Sequence, residues 1–450
     1  MMRTAAMVAV ALLVTGPSAA ALSPPVADPA VPPPSGAAGP VAVMSQRAEC
    51  VQTAMRPGAD PASVTVNQQM LNISAVANYS RGEGQTVAVI DTGVQPGPRL
   101  PNVTGGGDFL SAGDGLTDCD GHGTAVAGII GGQPGPDGFV GVAPGARLLS
   151  IRQSSPRFAP SAAGEDPREV AARVNIATLA RAVVRAADLG ATVISMATAT
   201  CLTADQVGDQ QALGAALRYA AVDKDAVIVA AAGDSGGPAV ADGCSSNPLG
   251  SPAQPSDPRN WAAVTSVSIP SWWQPYVLSA GALAADGQPA AFTMAGPWVG
   301  IAAPGTNIVS LSNDGAGGLA DGTPDGRGTM TALDGSGFAA AYVAGAAAVV
   351  RSRYPDMPAA EVVRRLTATA HNAAQAPSNL VGAGTLDPIG ALTWAVNPPN
   401  ESVATARRLA APVPPPPTDH TPRNVAFVGT ALLAVAAAVV VARRRNREPT

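Results

Sequence analysis

Hydrolysis by a nucleophile needs a hydroxyl or thiol, a base beside it, a carboxylate that holds the base in one tautomer, and donors for the oxyanion that forms. Three stretches of this 450-residue chain offer such groups. Asp91 closes the apolar run Thr86-Val-Ala-Val-Ile90 and is followed by Thr92 and Gly93. His122 stands between two glycines in Asp118-Cys-Asp-Gly-His-Gly-Thr124, directly before Ala125-Val-Ala-Gly-Ile-Ile130. The third stretch is Leu333-Asp-Gly-Ser-Gly-Phe-Ala-Ala-Ala-Tyr-Val-Ala-Gly345, in which Ser336 carries a hydroxyl. An aspartate after a strand is often only a turn former, and a glycine-flanked histidine is often structural. Their occurrence together, in this order, is the more specific signal.

The elements that must position these groups follow from patterning. From Gln85 onward strand-like and helix-like segments alternate, which predicts a parallel sheet with helices on both faces. Thr86 to Ile90 reads as a central strand, and ligand or catalytic groups in open α/β sheets gather at strand carboxyl ends, where Asp91 lies. Leu148 to Ile151, Ala191 to Met196 and Ala226 to Ala232 read as further strands, the last running into Gly233-Asp234-Ser235. Glu169 to Leu189 has helical spacing through Val170, Val174, Leu179, Val183 and Ala187, and Gln211 to Val222 and Ala359 to Ala368 read as helices. The stretch from Leu333 leads into a segment almost free of polar side chains, so it predicts a buried helix whose N-terminus faces a cleft, stopped at Tyr354-Pro355. Pro248 to Trp298, richer in Trp and Pro, reads as surface strands and loops.

The hydrophobic content of 46% is ample for a core, and 27 basic against 32 acidic residues argues against a nucleic-acid footprint. Residues 1–21 have the layout of a secretory signal peptide: Arg3, an apolar run, a Gly16-Pro17 break and a small-residue site at Ala19-Ala20-Ala21. Residues 22–45 form a Pro/Ala-rich linker, expected to be flexible or partly extended, and 46–80 an ordered N-terminal extension. After the main domain, 396–423 is a second Pro-rich linker and 424–442 an apolar segment of membrane-spanning length, roughly 17–25 residues being required. The arginine-rich tail 443–450 is expected on the cytoplasmic side, which places the main domain outside. Cys50, Cys119, Cys201 and Cys244 in an exported chain suggest two disulfides, with three connectivities open. No Cys-x2-Cys spacing supports zinc, no acidic cluster supports calcium, and no cofactor is expected. Asn72, Asn78 and Asn102 match glycosylation acceptors by chance spacing.

The chain order Asp, His, nucleophile segment, with Val-Ile-Asp91-Thr-Gly, Gly-His122-Gly-Thr, Gly141-Val-Ala-Pro-Gly145 and Ala303-Pro-Gly-Thr306, resembles the subtilisin-like serine proteases, or subtilases, over residues 81–395. The signal peptide, the cysteine-bearing extension, Asn78-Tyr-Ser-Arg-Gly-Glu-Gly-Gln85, Gly296-Pro-Trp298 and the membrane anchor narrow the resemblance to the mycosins, membrane-anchored subtilases of type VII secretion systems. The resemblance implies a subtilisin-like doubly wound sheet, type VII membrane components as partners and secreted proteins as possible substrates. In subtilisin relatives a removable propeptide often occupies the extension's place. A Cys50–Cys119 bond would make it permanent, and that pairing is favoured, with Cys201–Cys244 as a loop staple.

Carried over residue by residue, Asp91 would orient and His122 would act as base. Gly337 falls where the family has its serine, and Asp234 where most relatives have the asparagine that donates to the oxyanion. Loss of the donor costs on the order of 10²–10³ in turnover, and loss of the nucleophile on the order of 10⁶. Ser336 is a weak alternative, because one residue earlier on a helix turns its side chain by about 100°. Two functions compete: an inactive structural or binding component of a secretion complex, and an endopeptidase that uses Ser336 or a water held by His122.

Overall fold

The computed structural model describes residues 22–236, 244–250, 256–396 and 421–445. The expected signal peptide lies outside these residues, as does almost all of the second linker.

Seven strands form the main sheet: β1 (Thr86–Asp91), β2 (Val103–Asp108), β3 (Arg147–Arg152), β4 (Val193–Met196), β5 (Val227–Ala231), β6 (Leu278–Leu283) and β7 (Val299–Pro304). Their spatial order is β7-β6-β5-β4-β1-β3-β2, and every pairing is parallel. After β1 the chain runs to one side of the sheet, and from β4 onward it builds the other. The carboxyl end of β1 is therefore a topological switch point, and Asp91 sits on it.

Both faces of the sheet are covered, which explains why β1 reads as an unbroken apolar run and not as an alternation. Val87 and Val89 face a core shared with α1 (His122–Gly131) and α4 (Ser336–Arg353), while Ala88 and Ile90 face one shared with α2 (Pro167–Asp188) and α3 (Gln211–Arg218). Helix α4 is buried from Ser336 to Arg351, so it has no polar face to lose. Asp166 accepts from the Arg168 N–H and caps α2, ahead of Pro167 in the first turn.

One expectation needs correction. The 248–298 region is not confined to the surface: its Leu278–Leu283 is a fully buried sheet strand, and Trp272, Trp273 and Trp298 are interior. The 22–45 segment, expected to be flexible or partly extended, runs along the domain and is held to it. Arg181 donates to the carbonyls of Ala37 and Gly39, Gly39 N–H donates to Asp108 O, and Ala27 is buried.

The 46–80 extension is built into the fold. Leu71, Ile73 and Val76 enter the core, Arg56 pairs with Asp321 at 3.1 Å, and Gln68 donates to Val140 O. Disulfides join Cys50 to Cys119 and Cys201 to Cys244. The residues from 397 onward form a separate unit, whose helix Thr421–Arg445 contains a stretch, Arg423–Arg443, long and apolar enough to cross a membrane.

Candidate active site

Three strand ends and two helix starts meet at the site. Asp91 ends β1, Ala197 follows β4, and Asp234 lies just past β5; His122 opens α1, and Ser336 and Gly337 open α4. Asp91 is fully buried, and its Oδ1 lies 2.7 Å from His122 Nδ1. The same oxygen accepts from the Thr92 N–H at 2.7 Å, while Oδ2 is buried without a partner. The imidazole keeps 30% of its surface and packs against the Phe338 ring, centroids 4.9 Å apart. This approach of α1 to β1 requires glycine, since a Cβ at Gly123 would come 2.0 Å from Gly93 O.

Burial disfavours a charged His122, but the charge and hydrogen bond of Asp91, with the further charges of Asp118 and Asp120, more than offset it and raise its pKa to about 9. The raised value favours the protonated ring at neutral pH. Asp120, whose own carboxyl is pushed up by burial, accepts from Ser155 Oγ at 2.5 Å and pairs with Arg157 at 3.3 Å.

No hydroxyl faces the imidazole from position 337. A Cβ built on Gly337 would lie 3.2 Å from His122 Cε1, so the position does project toward the histidine. It would also lie 2.3 Å from Ala197 O, closer than real contacts allow. The backbone of the β4 strand end thus stands in the space a side chain would need. Ser336 is fully buried, and its Oγ accepts from the Gly233 N–H at 3.2 Å. Its own N–H donates to the Asp234 carboxylate, 3.0 and 3.2 Å from the two oxygens. The Asp234 side chain therefore sits at the start of α4, where the helix dipole partly offsets the cost of a negative charge. Burial nevertheless raises its pKa, against the hydrogen bonds from Ser336 and the charge of His122.

The sequence-derived residues thus converge at one place: Asp91, His122, Asp234, Ser336 and Gly337. Cys119, bonded to Cys50, lies in the loop before His122, and Cys201 and Cys244 tie the strand Thr200–Thr203 to the segment after residue 243. Sequence reasoning missed three residues. Asp118 and Thr92 connect the β1 end to the α1 start, and the signal was their placement, Thr directly after Asp91 and Asp four residues before His122. Ala197 acts through its backbone carbonyl and has no signal in its side chain. Among the described residues no three histidines, cysteines or carboxylates come together to hold a metal ion.

A doubly wound sheet with an Asp–His pair at its switch point and a buried helix opening beside it defines the subtilase architecture. The sequence profile of the subtilase family matches residues 82–384, and the chain belongs to that family. Within it the similarity is to the mycosins. Mycosin-3 of Mycobacterium tuberculosis (strain ATCC 25618 / H37Rv) is 60% identical over 441 residues, covering 96% of this chain and 95% of the relative. The solved structure of MycP3 protease from the type VII (ESX-3) secretion system is 62% identical, covers 83% of this chain and 100% of its own, and superposes with a TM-score of 0.80. A chain in the structure of an intact ESX-5 inner membrane complex is 43% identical, covers 94% of this chain and 100% of its own, and also gives 0.80.

Proposed function

We propose that this chain is a proteolytically silent mycosin that serves as a structural or binding component of a type VII secretion membrane complex. The observation that carries the reading is at Gly337. The residue opposite His122 has no side chain, and the neighbouring Ser336 hydroxyl is buried on Gly233 N–H. Asp234 adds to it, because an ionised carboxylate at the expected oxyanion position would oppose the charge that acyl transfer develops. A water activated by His122 meets the same obstacle as long as the imidazole stays protonated.

In this reading Asp91 and His122 keep the family's orienting and base positions without a nucleophile to serve. The secretion partners are inferred from the relatives found in ESX complexes. Anchoring through Arg423–Arg443, with the subtilase domain outside the cytoplasm and the arginine tail inside, is supported by the apolar helix and the arginine cluster at its C-terminal end.

The experiment treats purified, disulfide-bonded protein with a serine-directed phosphonate probe and unstructured peptides, alongside affinity isolation of the membrane-extracted protein. The expected result is neither labelling nor cleavage, with secretion-complex components retained. Labelling that disappears in Ser336→Ala would instead establish an active endopeptidase.

A further inference from the structure

We infer that Asp118 is a positioning residue: its buried carboxylate ties the strand end that carries Asp91 to the helix start that carries His122, and so fixes the imidazole against its partner. Oδ1 accepts from Thr92 Oγ1 at 2.8 Å, Gly121 N–H at 2.9 Å and Asp120 N–H at 3.1 Å. Oδ2 accepts from Thr124 N–H at 2.8 Å and Thr124 Oγ1 at 2.6 Å. The first N–H groups of α1 have no intrahelical partner, and this single carboxylate satisfies donors at that helix start.

The link to β1 passes through Thr92. Its hydroxyl donates to Asp118 and accepts from the Gly123 N–H at 2.9 Å, so one side chain next to Asp91 is bonded on both sides of His122. The loop is held from behind as well. Asn313 Nδ2 donates to Asp118 O at 3.0 Å and to Val51 O at 2.9 Å, and Cys119 is bonded to Cys50. The N-terminal extension thereby braces the histidine loop through the two residues that precede Asp120. None of this depends on whether the site hydrolyses anything.

The readout is the imidazole itself. The charged groups around it are Asp91, Asp118, Asp120 with its partner Arg157, and Asp234. The full chain, labelled with isotopic histidine in detergent, has only three histidines to assign, and His122→Gln identifies the resonance. The expected unaltered protein titrates at about 9 and shows a low-field Nδ1–H signal. Asp118→Asn turns an NH2 group toward backbone N–H donors whichever way it is flipped. Thr92→Val replaces only a hydroxyl by a methyl, and Thr92→Ser restores it. The expected result is at least a tenfold loss of proton affinity and a broadened or absent Nδ1–H signal in Asp118→Asn and Thr92→Val. Thr92→Ser stays at the unaltered values, and all variants melt cooperatively. If Asp118→Asn does not fold, Thr92→Val decides alone. A folded Thr92→Val or Asp118→Asn with unaltered midpoint and signal overturns the inference, and so does a Thr92→Ser that behaves like Thr92→Val.

Discussion

Restoring the family's serine by Gly337→Ser is the sharpest perturbation, and the structure makes its outcome different from simple rescue. The new Cβ would stand 2.3 Å from Ala197 O, about 0.7 Å inside the closest approach that real Cβ atoms make. The obstacle is backbone at the end of a buried strand, so no rotamer relieves it. Overpacking of this kind costs about 1–3 kcal/mol. A hydroxyl placed about 1 Å from its productive position loses on the order of 10² in rate. The oxyanion position, still occupied by the Asp234 carboxylate, withholds a further factor on the order of 10²–10³. The single variant is therefore expected to be less stable than the parent and to react with a phosphonate probe only slowly. Gly337→Ser with Asp234→Asn is expected to react at least about 10²-fold faster than the single variant. The assay is a time course of probe labelling, followed by intact-mass measurement, with urea unfolding of each variant. Equal labelling rates for the single and double variants, or a single variant as stable as the parent, would refute the reasoning.

Three further outcomes are expected. His122 binds its proton more tightly in the folded state, about 9 against 6.5, so its stabilising contribution is complete below about pH 6.5 and is lost as pH rises through about 9; His122→Gln should flatten the stability profile between those values in urea titrations. Asp234 has a raised folded pKa, so its contribution is favourable only in acid and disappears as pH rises through that pKa; Asp234→Asn should raise the melting temperature at pH 7 and lose that advantage toward pH 4. Removing the Cys50–Cys119 bond by Cys50→Ser with Cys119→Ser opens a loop of 69 residues. Chain entropy puts the loss near 4 kcal/mol, measurable by urea unfolding, and limited proteolysis should then cut within residues 46–80 first.

How far the molecule was legible depended on whether a residue acts through its side chain. Asp91 and His122 announce themselves because their side chains do the work and their settings, a continuous strand and a glycine-flanked helix start, are dictated locally. Helix α4 was legible because a run from Phe338 to Val350 without polar groups has only one place to go. Strand β6 was not: Leu-Ser-Ala-Gly-Ala-Leu has neither the β-branched enrichment nor the alternation that marks a strand, and it is a strand because β5 and β7 flank it. Strand β2, with three consecutive glycines, was missed for a similar reason, its one paired side being supplied by β3. The prolines of the 22–45 segment allow either a flexible or an extended chain, and composition does not show that Arg181 holds that chain by its carbonyls. The obstruction at Gly337 comes from a peptide oxygen, and side-chain identity carries no information about where a neighbouring strand places its backbone.

An intact Asp–His pair is weak evidence for catalysis, and the structure gives the physical reason. Asp91 is fully buried and one of its oxygens already lacks a partner. Its other oxygen is held by His122 Nδ1 and by the Thr92 N–H. Taking away His122 would leave a buried carboxylate supported by a single backbone donor, and breaking a buried pair from one side costs about 3–5 kcal/mol. That penalty is a large share of a typical stability of roughly 5–15 kcal/mol. Glycine at position 337 carries no such penalty, because Ala197 O occupies the space a Cβ would take and leaves no hole. The two halves of the site are thus unequally bound to the fold: removing the imidazole strips a buried carboxylate of its side-chain partner, whereas glycine at position 337 leaves no hole.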